Sequence, residues 1–283
     1  VYDHNSGIHI HVDNVWVIFC RLHIAKNLKQ MKILGIIPAR YGSTRLEGKP
    51  LLDIHGKSMI RRVYERAINS IDDLYVATDD QRVIEEVDSF DGNSVMTGSH
   101  HNSGTNRCLE AYEKISKSTG KKYDVIINIQ GDEPLLDPEQ LDTLKSLFTD
   151  EYIMMGTLAS PVVNPLDLDN ESEAFVVFDK NKNALYFSRS VIPFVKGTAR
   201  AQWFDKHTFY KHVGMYAYTP DALEIFASLP ISKLEMTEGL EQNRWLENGH
   251  SIKVGITDRP GICVDTPEDL ERIRDIIKKQ ELN

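Results

Sequence analysis

Apolar positions recur along most of this chain with two alternating periods. Lys32–Ile37 is a short isoleucine-rich run bounded by Pro38, the signature of a strand buried on both faces. From Ser58 to Ser70, Ile60, Val63, Tyr64, Ala67 and Ile68 share one helical stripe, and Arg61, Arg62, Glu65 and Arg66 occupy the opposite face. The same alternation predicts strands at Leu74–Thr78, Ser94–Met96 and Val125–Ile129. It predicts helices over Asp80–Asp88, Thr105–Lys117 and Pro138–Phe148, the last opening on a proline suited to a first helical turn. Strands separated by such helices make an α/β fold with a mostly parallel central sheet covered on both faces.

The middle of the chain changes character. Phe175–Phe178 and Ala184–Ser188 flank Asp179-Lys180-Asn181-Lys182-Asn183 and read as a hairpin, so a small antiparallel insert is expected over about residues 170–250. Tyr210–Tyr218 reads as a strand, Pro220–Ser228 and Leu234–Glu247 as helices with Gly249 as a left-handed cap, and Ser251–Ile256 as a strand. Thr266-Pro267-Glu268-Asp269 opens the last helix with a hydroxyl cap, a proline and two acidic residues. With no repeat and no low-complexity linker, residues 31–283 are expected to form one domain.

Residues 1–30 are different. They hold four of the ten histidines (His4, His9, His11, His23), lack a capping signal and a clear period, and run into Met31-Lys32-Ile33-Leu34, which has the form of a translation start. The apolar run Val15–Cys20 is shorter than the ~7–15 residues of a signal-peptide core. The segment is expected to be an extension outside the fold.

Composition narrows the function classes. With 283 residues, 41% hydrophobic and 27% charged, the chain is neither disordered nor collagen-like. A net charge of −9 argues against a protein that coats nucleic acid. The longest uncharged stretch, Tyr152–Leu166, is interrupted by Gly156, Pro161, Asn164 and Pro165 and falls short of the ~20 apolar residues of a membrane span. Cys20, Cys108 and Cys263 lie far apart with no C-x-x-C pair, so they read as buried or bystander thiols.

The chemistry concentrates after the first strand. Pro38-Ala39-Arg40 leads into a glycine-containing loop with Arg45 and Lys49, at the strand edge where open α/β sheets bind ligands. Guanidinium and backbone N–H groups suit phosphate oxygens. The loop is not a P-loop, since five residues separate Gly42 from Gly48 and Pro50 stands where a Ser or Thr would hold magnesium. A P-loop kinase is therefore disfavoured, and no G-x-G-x-x-G supports a dinucleotide site. Asp132, in Gln130-Gly131-Asp132-Glu133-Pro134, follows a predicted strand, and Asp265 ends the extended stretch Ile262–Val264. Two such carboxylates facing a basic loop could hold Mg²⁺ against a triphosphate. Taken alone, Asp265 reads first as a cap for the last helix and only second as a metal ligand.

Eight motifs then carry a resemblance. Ile37-Pro-Ala-Arg-Tyr-Gly-Ser-Thr-Arg-Leu-x-Gly-Lys-Pro50, Val76-Ala-Thr-Asp-Asp80, Ser103-Gly-Thr105 and Asn128-Ile-Gln-Gly-Asp-Glu-Pro134 are followed by Ala184-Leu-Tyr-Phe-Ser-Arg-Ser190, Tyr210-Lys-His-x-Gly-x-Tyr216, Leu240-Glu-Gln242 and Val264-Asp-Thr-Pro-Glu-Asp-Leu270. In this order they resemble the 3-deoxy-manno-octulosonate (Kdo) cytidylyltransferases, the CMP-Kdo synthetases. The resemblance implies a Rossmann-like nucleotidyltransferase fold and a cytoplasmic homodimer serving lipopolysaccharide synthesis. Its substrates would be CTP and Kdo and its products CMP-Kdo and pyrophosphate, with Mg²⁺ as cofactor. It implies that Arg40, Arg45 and Lys49 hold the triphosphate, that Pro38, Ala39, Ser103, Gly104 and Thr105 line the cytidine pocket, and that Asp132 and Asp265 bind the metal. Gln130, Arg189, His212, Tyr216, Glu241 and Gln242 would contact the sugar acid, Arg189 facing its carboxylate, and the insert would carry sugar and dimer contacts. His212 reads as a hydrogen-bonding group before a general base. Three positions depart from the family pattern: Glu47, Asn106 and Asn243. The remaining alternatives are an amino-Kdo or other 2-keto sugar acid as substrate, or a catalytically dead nucleotide-binding protein.

Overall fold

The computed structural model describes residues 31–42, 46–101, 103–170 and 172–281. The extension expected over residues 1–30, Cys20 and the predicted triphosphate ligand Arg45 lie outside the described residues.

The isoleucine run forms β1 (Ile33–Ala39), buried along almost its whole length. The segment that follows, read from sequence as a loop, holds a 3-10 turn at Lys49–Leu51 and a small hairpin, β2 (Asp53–Ile54) with β3 (Lys57–Ser58). Ser58 caps α1 (Met59–Ala67), its hydroxyl accepting the Arg61 N–H at 3.2 Å; of the predicted stripe Ile60, Val63, Tyr64 and Ala67 are buried, while Ile68, at the C-cap, is exposed. Next come β4 (Asp73–Thr78), α2 (Gln81–Asp88, capped by Asp80), β5 (Ser94–Met96), α3 (Gly104–Thr119, capped by Ser103), β6 (Val125–Asn128) and α4 (Pro138–Leu147). A capping box of Asp137 with Gln140 starts α4.

Tyr152–Leu166 carries β7 (Met155–Pro161), a strand the sequence reading does not contain. Six of its seven residues are buried, so no polar alternation marks it. β8 (Phe175–Phe178) and β9 (Ala184–Ser188) form the predicted hairpin, followed by α5 (Trp203–Lys206), β10 (Tyr210–Tyr218) and α6 (Pro220–Ser228). The single helix expected over Leu234–Glu247 is instead two, α7 (Lys233–Glu238) and α8 (Gln242–Glu247). Gly239 causes the break: at φ 64° it closes α7 in the left-handed region, its N–H bonding Glu235 O at 2.8 Å. The turn leaves Glu241 and Gln242 at the opening of α8. β11 (Lys253–Ile256) and α9 (Pro267–Glu281) complete the chain. Thr266 and Asp269 exchange the cap bonds of α9.

The large sheet runs β11-β7-β10-β6-β1-β4-β5. β1 is parallel to β4 and β6, β4 to β5, and β11 to β7; β10 alone in this path runs antiparallel to its neighbours, β6 and β7. β8 pairs antiparallel with β9 and with β10. The apolar sides of α1, α2 and α4 pack on one face of the sheet, through Val63, Val87 and Leu141. Those of α3, α6 and α8 pack on the other, through Ala111, Phe226 and Trp245. From β1 the chain proceeds to β4 on one side and reaches β6 on the other, which makes the gap between β1 and β6 a topological switch point. Among the described residues no helix is long and apolar enough to cross a membrane.

Candidate active site

Two cavities abut at the carboxyl ends of β1 and β6. The first, of about 310 Å³, is lined by Pro38, Ala39, Arg40, Lys49, Pro50, His101, Ser103, Gly104, Arg107, Gln130, Gly131, Asp132 and Asp265. The second, of about 350 Å³, is lined among others by Asn128, Glu133, Arg189, Lys211, His212, Tyr216, Glu241 and Gln242. Gly104 and Gln130 line both. Among the described residues, those expected to hold the nucleotide therefore line one cavity and those expected to hold the sugar acid its neighbour, Gln130 lining both. Among the described residues Thr105 is the exception, buried at the start of α3 and lining neither.

Lys49 organises the first cavity. Its Nζ donates to Asp132 Oδ2 at 2.6 Å and Asp265 Oδ1 at 3.1 Å, joining residues 83 and 216 positions apart. Burial would lower the Lys49 pKa, but the two carboxylates outweigh it and hold the ammonium charged above its ordinary range. The two loops are also tied through the backbone, Val264 N–H donating to Asp132 O at 3.0 Å. The stretch Ile262–Val264, read as extended, pairs in no strand and is held by this bond. The cap bonds of α9 come from Thr266 and Asp269, and the Asp265 carboxylate instead faces Lys49. Two carboxylate oxygens that converge on one cation from opposite loops are a donor set that fits a hard divalent ion.

The second cavity is polar and incompletely satisfied. Asn128 Oδ1, Glu133 Oε2, Glu241 Oε1 and Gln242 Nε2 are buried there without a hydrogen-bond partner. Tyr216 OH donates to Gln242 Oε1 at 2.9 Å, and burial raises its own pKa. Burial likewise raises Glu241, against the opposing pull of Arg244 and the Thr105 and Ser103 hydroxyls. The Arg189 guanidinium reaches the Ser172 carbonyl at 2.6 Å, and its backbone N–H bonds Glu238 Oε2 at 2.8 Å.

His212 bonds the Thr157 hydroxyl at 2.9 Å, and burial, with the charge of Arg189, pushes its pKa down to about 3. It is a neutral hydrogen-bonding group and a poor base near pH 7. Because the unfolded histidine takes up a proton below its ordinary pKa of ~6.5 and the folded one does not, stability is lost as pH falls from there toward 3. Between pH 7.5 and 4.5 this single group is expected to cost about 2–3 kcal/mol. His212→Gln, which keeps a hydrogen-bonding partner for Thr157, should lose that much less stability over the interval. Denaturant titrations at both pH values measure the difference, and parallel losses in the two proteins would remove the assignment.

Several lining residues carry no role in the sequence reading: His101, Arg107, Asn128, Glu133, Lys211 and Cys263. Arg107 lies one helical turn after Gly104 and is held by Thr97 Oγ1 at 2.6 Å and Asp79 Oδ2 at 3.0 Å. The i, i+3 spacing was its available signal. Glu133 is the larger surprise. Burial, then the charge of Asp132, push its carboxyl up to about 7, and Cys263 Sγ–H donates to its Oε1 at 3.4 Å. Adjacent carboxylates look alike in sequence, and only the turn after β6 sends one to Lys49 and the other into the second cavity. Of the three departures from the family pattern, Asn243 is buried with its Nδ2 donating to Phe187 O at 3.0 Å, which fastens α8 to β9.

A basic loop and paired carboxylates at a switch point, opening on a polar second cavity, define a nucleotidyltransferase. The sequence profile of the family described as Cytidylyltransferase matches residues 34–252. A 3-deoxy-manno-octulosonate cytidylyltransferase of Parabacteroides distasonis is 51% identical over 246 residues, 86% of this chain and 96% of that relative. An 8-amino-3,8-dideoxy-manno-octulosonate cytidylyltransferase of a Shewanella species is 44% identical over 246 residues, 86% of this chain and 97% of that relative. A solved structure of a CMP:2-keto-3-deoxy-manno-octonic acid synthetase complexed with CTP superposes with a TM-score of 0.80 at 40% identity, covering 88% of this chain and 99% of that one. The chain belongs to the cytidylyltransferase family, in the branch of the 3-deoxy-manno-octulosonate cytidylyltransferases.

Proposed function

We propose that this protein transfers the cytidylyl group of CTP to 3-deoxy-manno-octulosonate. The anomeric hydroxyl attacks the α-phosphorus and gives up its proton to solvent, a new P–O bond forms, and the bond from the α-phosphorus to the bridging β-phosphate oxygen breaks to release pyrophosphate. The observation that carries the reading is the pair of abutting cavities sharing Gly104 and Gln130, one basic with paired aspartates, the other polar. A nucleotide in the first would present its α-phosphate to a sugar in the second, and such positioning supplies most of the catalysis in this class of transfer.

Arg40 and Lys49 would bind triphosphate oxygens, with Ser103 and Gly104 beside the cytidine. Asp132 and Asp265 would hold Mg²⁺, which neutralises phosphate charge when bound. The four unpartnered polar atoms of the second cavity suit the hydroxyl-rich sugar acid, and Arg189 suits its carboxylate. A pyrophosphate-release assay with CTP, Mg²⁺ and a panel of Kdo, amino-Kdo and a sialic acid tests the proposal. Kdo is expected to give the highest kcat/KM. No turnover with Kdo on folded protein would overturn the reading, and preference for amino-Kdo would move it to the neighbouring substrate.

We also place the protein in the cytoplasm as a homodimer serving lipopolysaccharide synthesis. Exposed Leu185, Phe194, Ile231 and Met236 supply apolar surface for a second copy. Sedimentation velocity is expected to return a dimer, and a monomer at assay concentrations would remove that part.

A further inference from the structure

At the rim of the first cavity, the loop between β5 and α3 brings three side chains together. The ring nitrogens of His100 and His101 and the carboxylate of Glu110, on the second turn of α3, all lie within 4.8 Å of one another. His101 Nε2 contacts Glu110 Oε2, and the same oxygen accepts the Gly98 N–H at 2.9 Å. Gly98 makes the arrangement possible: a Cβ there would stand 2.4 Å from the His100 ring, so only glycine lets that ring fold back over the loop. A separate cavity of about 400 Å³ opens on these three residues and on Asn106. Asn106 lies one turn before Glu110 on α3, and its Oδ1 is buried without a partner. It is one of the three positions at which the chain departs from the family pattern.

We propose that His100, His101 and Glu110 form a binding site for a divalent transition-metal ion of the zinc type, in a cavity that Asn106 also lines. Two imidazoles and one carboxylate are a zinc-type donor set, whereas imidazole does not select magnesium. The ligands sit at the start of α3 and on the loop entering it, so a bound ion would clamp the loop to the helix. At zinc distances of ~2.0–2.2 Å the His101–Glu110 contact opens to admit the ion while His100 closes on it. The Gly98 N–H on Glu110 then acts as the outer group that orients the carboxylate. The site differs in chemistry from the Asp132 and Asp265 pair, which offers only oxygen. The two sites stand back to back, because the His101 ring also lines the first cavity. The assignment does not depend on the sugar substrate.

The test is a Co²⁺ titration of the full chain, stripped with a chelator and kept in excess Mg²⁺, read by the visible absorption of imidazole-ligated cobalt. The wild type is expected to saturate with one equivalent at this site. His100→Ala, at an exposed position, and Glu110→Gln, which keeps an oxygen for the Gly98 N–H, should each weaken binding by about tenfold or more with unchanged circular dichroism. A His9→Ala/His11→Ala variant, which removes histidines of the first thirty residues, should bind like the wild type. The proposal is overturned if the wild type shows no saturable cobalt site, if either ligand variant binds as the wild type does, or if binding disappears in the His9/His11 variant.

Discussion

Asp132→Asn is expected to lower kcat by about three orders of magnitude, a loss of ~4 kcal/mol of transition-state stabilisation. Asp132 Oδ2 and Asp265 Oδ1 meet on one ammonium group from two loops, and both carboxylates would be needed to hold a divalent ion against the triphosphate. Asparagine keeps the shape and one carbonyl oxygen but carries no charge. The fold should survive, because the Asp132 side chain is 28% exposed at the cavity margin and its tie to the Asp265 loop runs through its backbone carbonyl. Pyrophosphate release measured beside a thermal melt separates the two effects. A variant within tenfold of wild-type turnover would take Asp132 out of the metal site, and one that fails to melt cooperatively would show that the carboxylate is structural.

The second large effect is expected in the core. Trp245 is fully buried, stacks on His250 with ring centroids 4.1 Å apart, lies 5.8 Å from Phe226 and donates its Nε1–H to Ser251 O at 3.0 Å. Trp245→Ala should cost about 3–5 kcal/mol through lost burial and the cavity left behind. For a domain of this size the melting temperature should fall by roughly 6–20 °C. Trp245 sits on α8, the helix that Glu241 and Gln242 open, so the floor of the second cavity loosens with it and KM for the sugar should rise before the protein unfolds. A drop in melting temperature of less than about 2 °C by calorimetry would contradict this placement.

Local chemistry made much of this protein readable from sequence alone. Ser58, Asp80 and Thr266 stand at the predicted helix starts, because caps act on N–H groups only two or three residues away, whereas Ser103 caps α3 two residues ahead of the start expected at Thr105. The parallel strands β1, β4, β5 and β6 were legible for a similar reason, as short apolar runs alternating with amphipathic helices. The family was legible too, since eight motifs stand in order along the chain.

What the tertiary structure alone decided is long in range. β7 escaped the sequence reading because a strand with six of seven residues buried shows no alternation. The split of the helix expected over Leu234–Glu247 turned on whether Gly239 would be tolerated within a helix or used to end it, and packing around α8 settled that. The meeting of Lys49 with Asp132 and Asp265 depends on sheet order, and no periodicity encodes which strand lies beside which. Nor could sequence separate Asp132 from Glu133, since neighbouring carboxylates acquire different roles only when a turn aims one at a cation and buries the other. Sequence determined the elements and the kind of chemistry, because those rest on interactions within a few residues. The tertiary structure decided which charges meet and which polar atoms lie buried without a partner, because contacts between residues far apart in the chain exist only once the sheet is assembled.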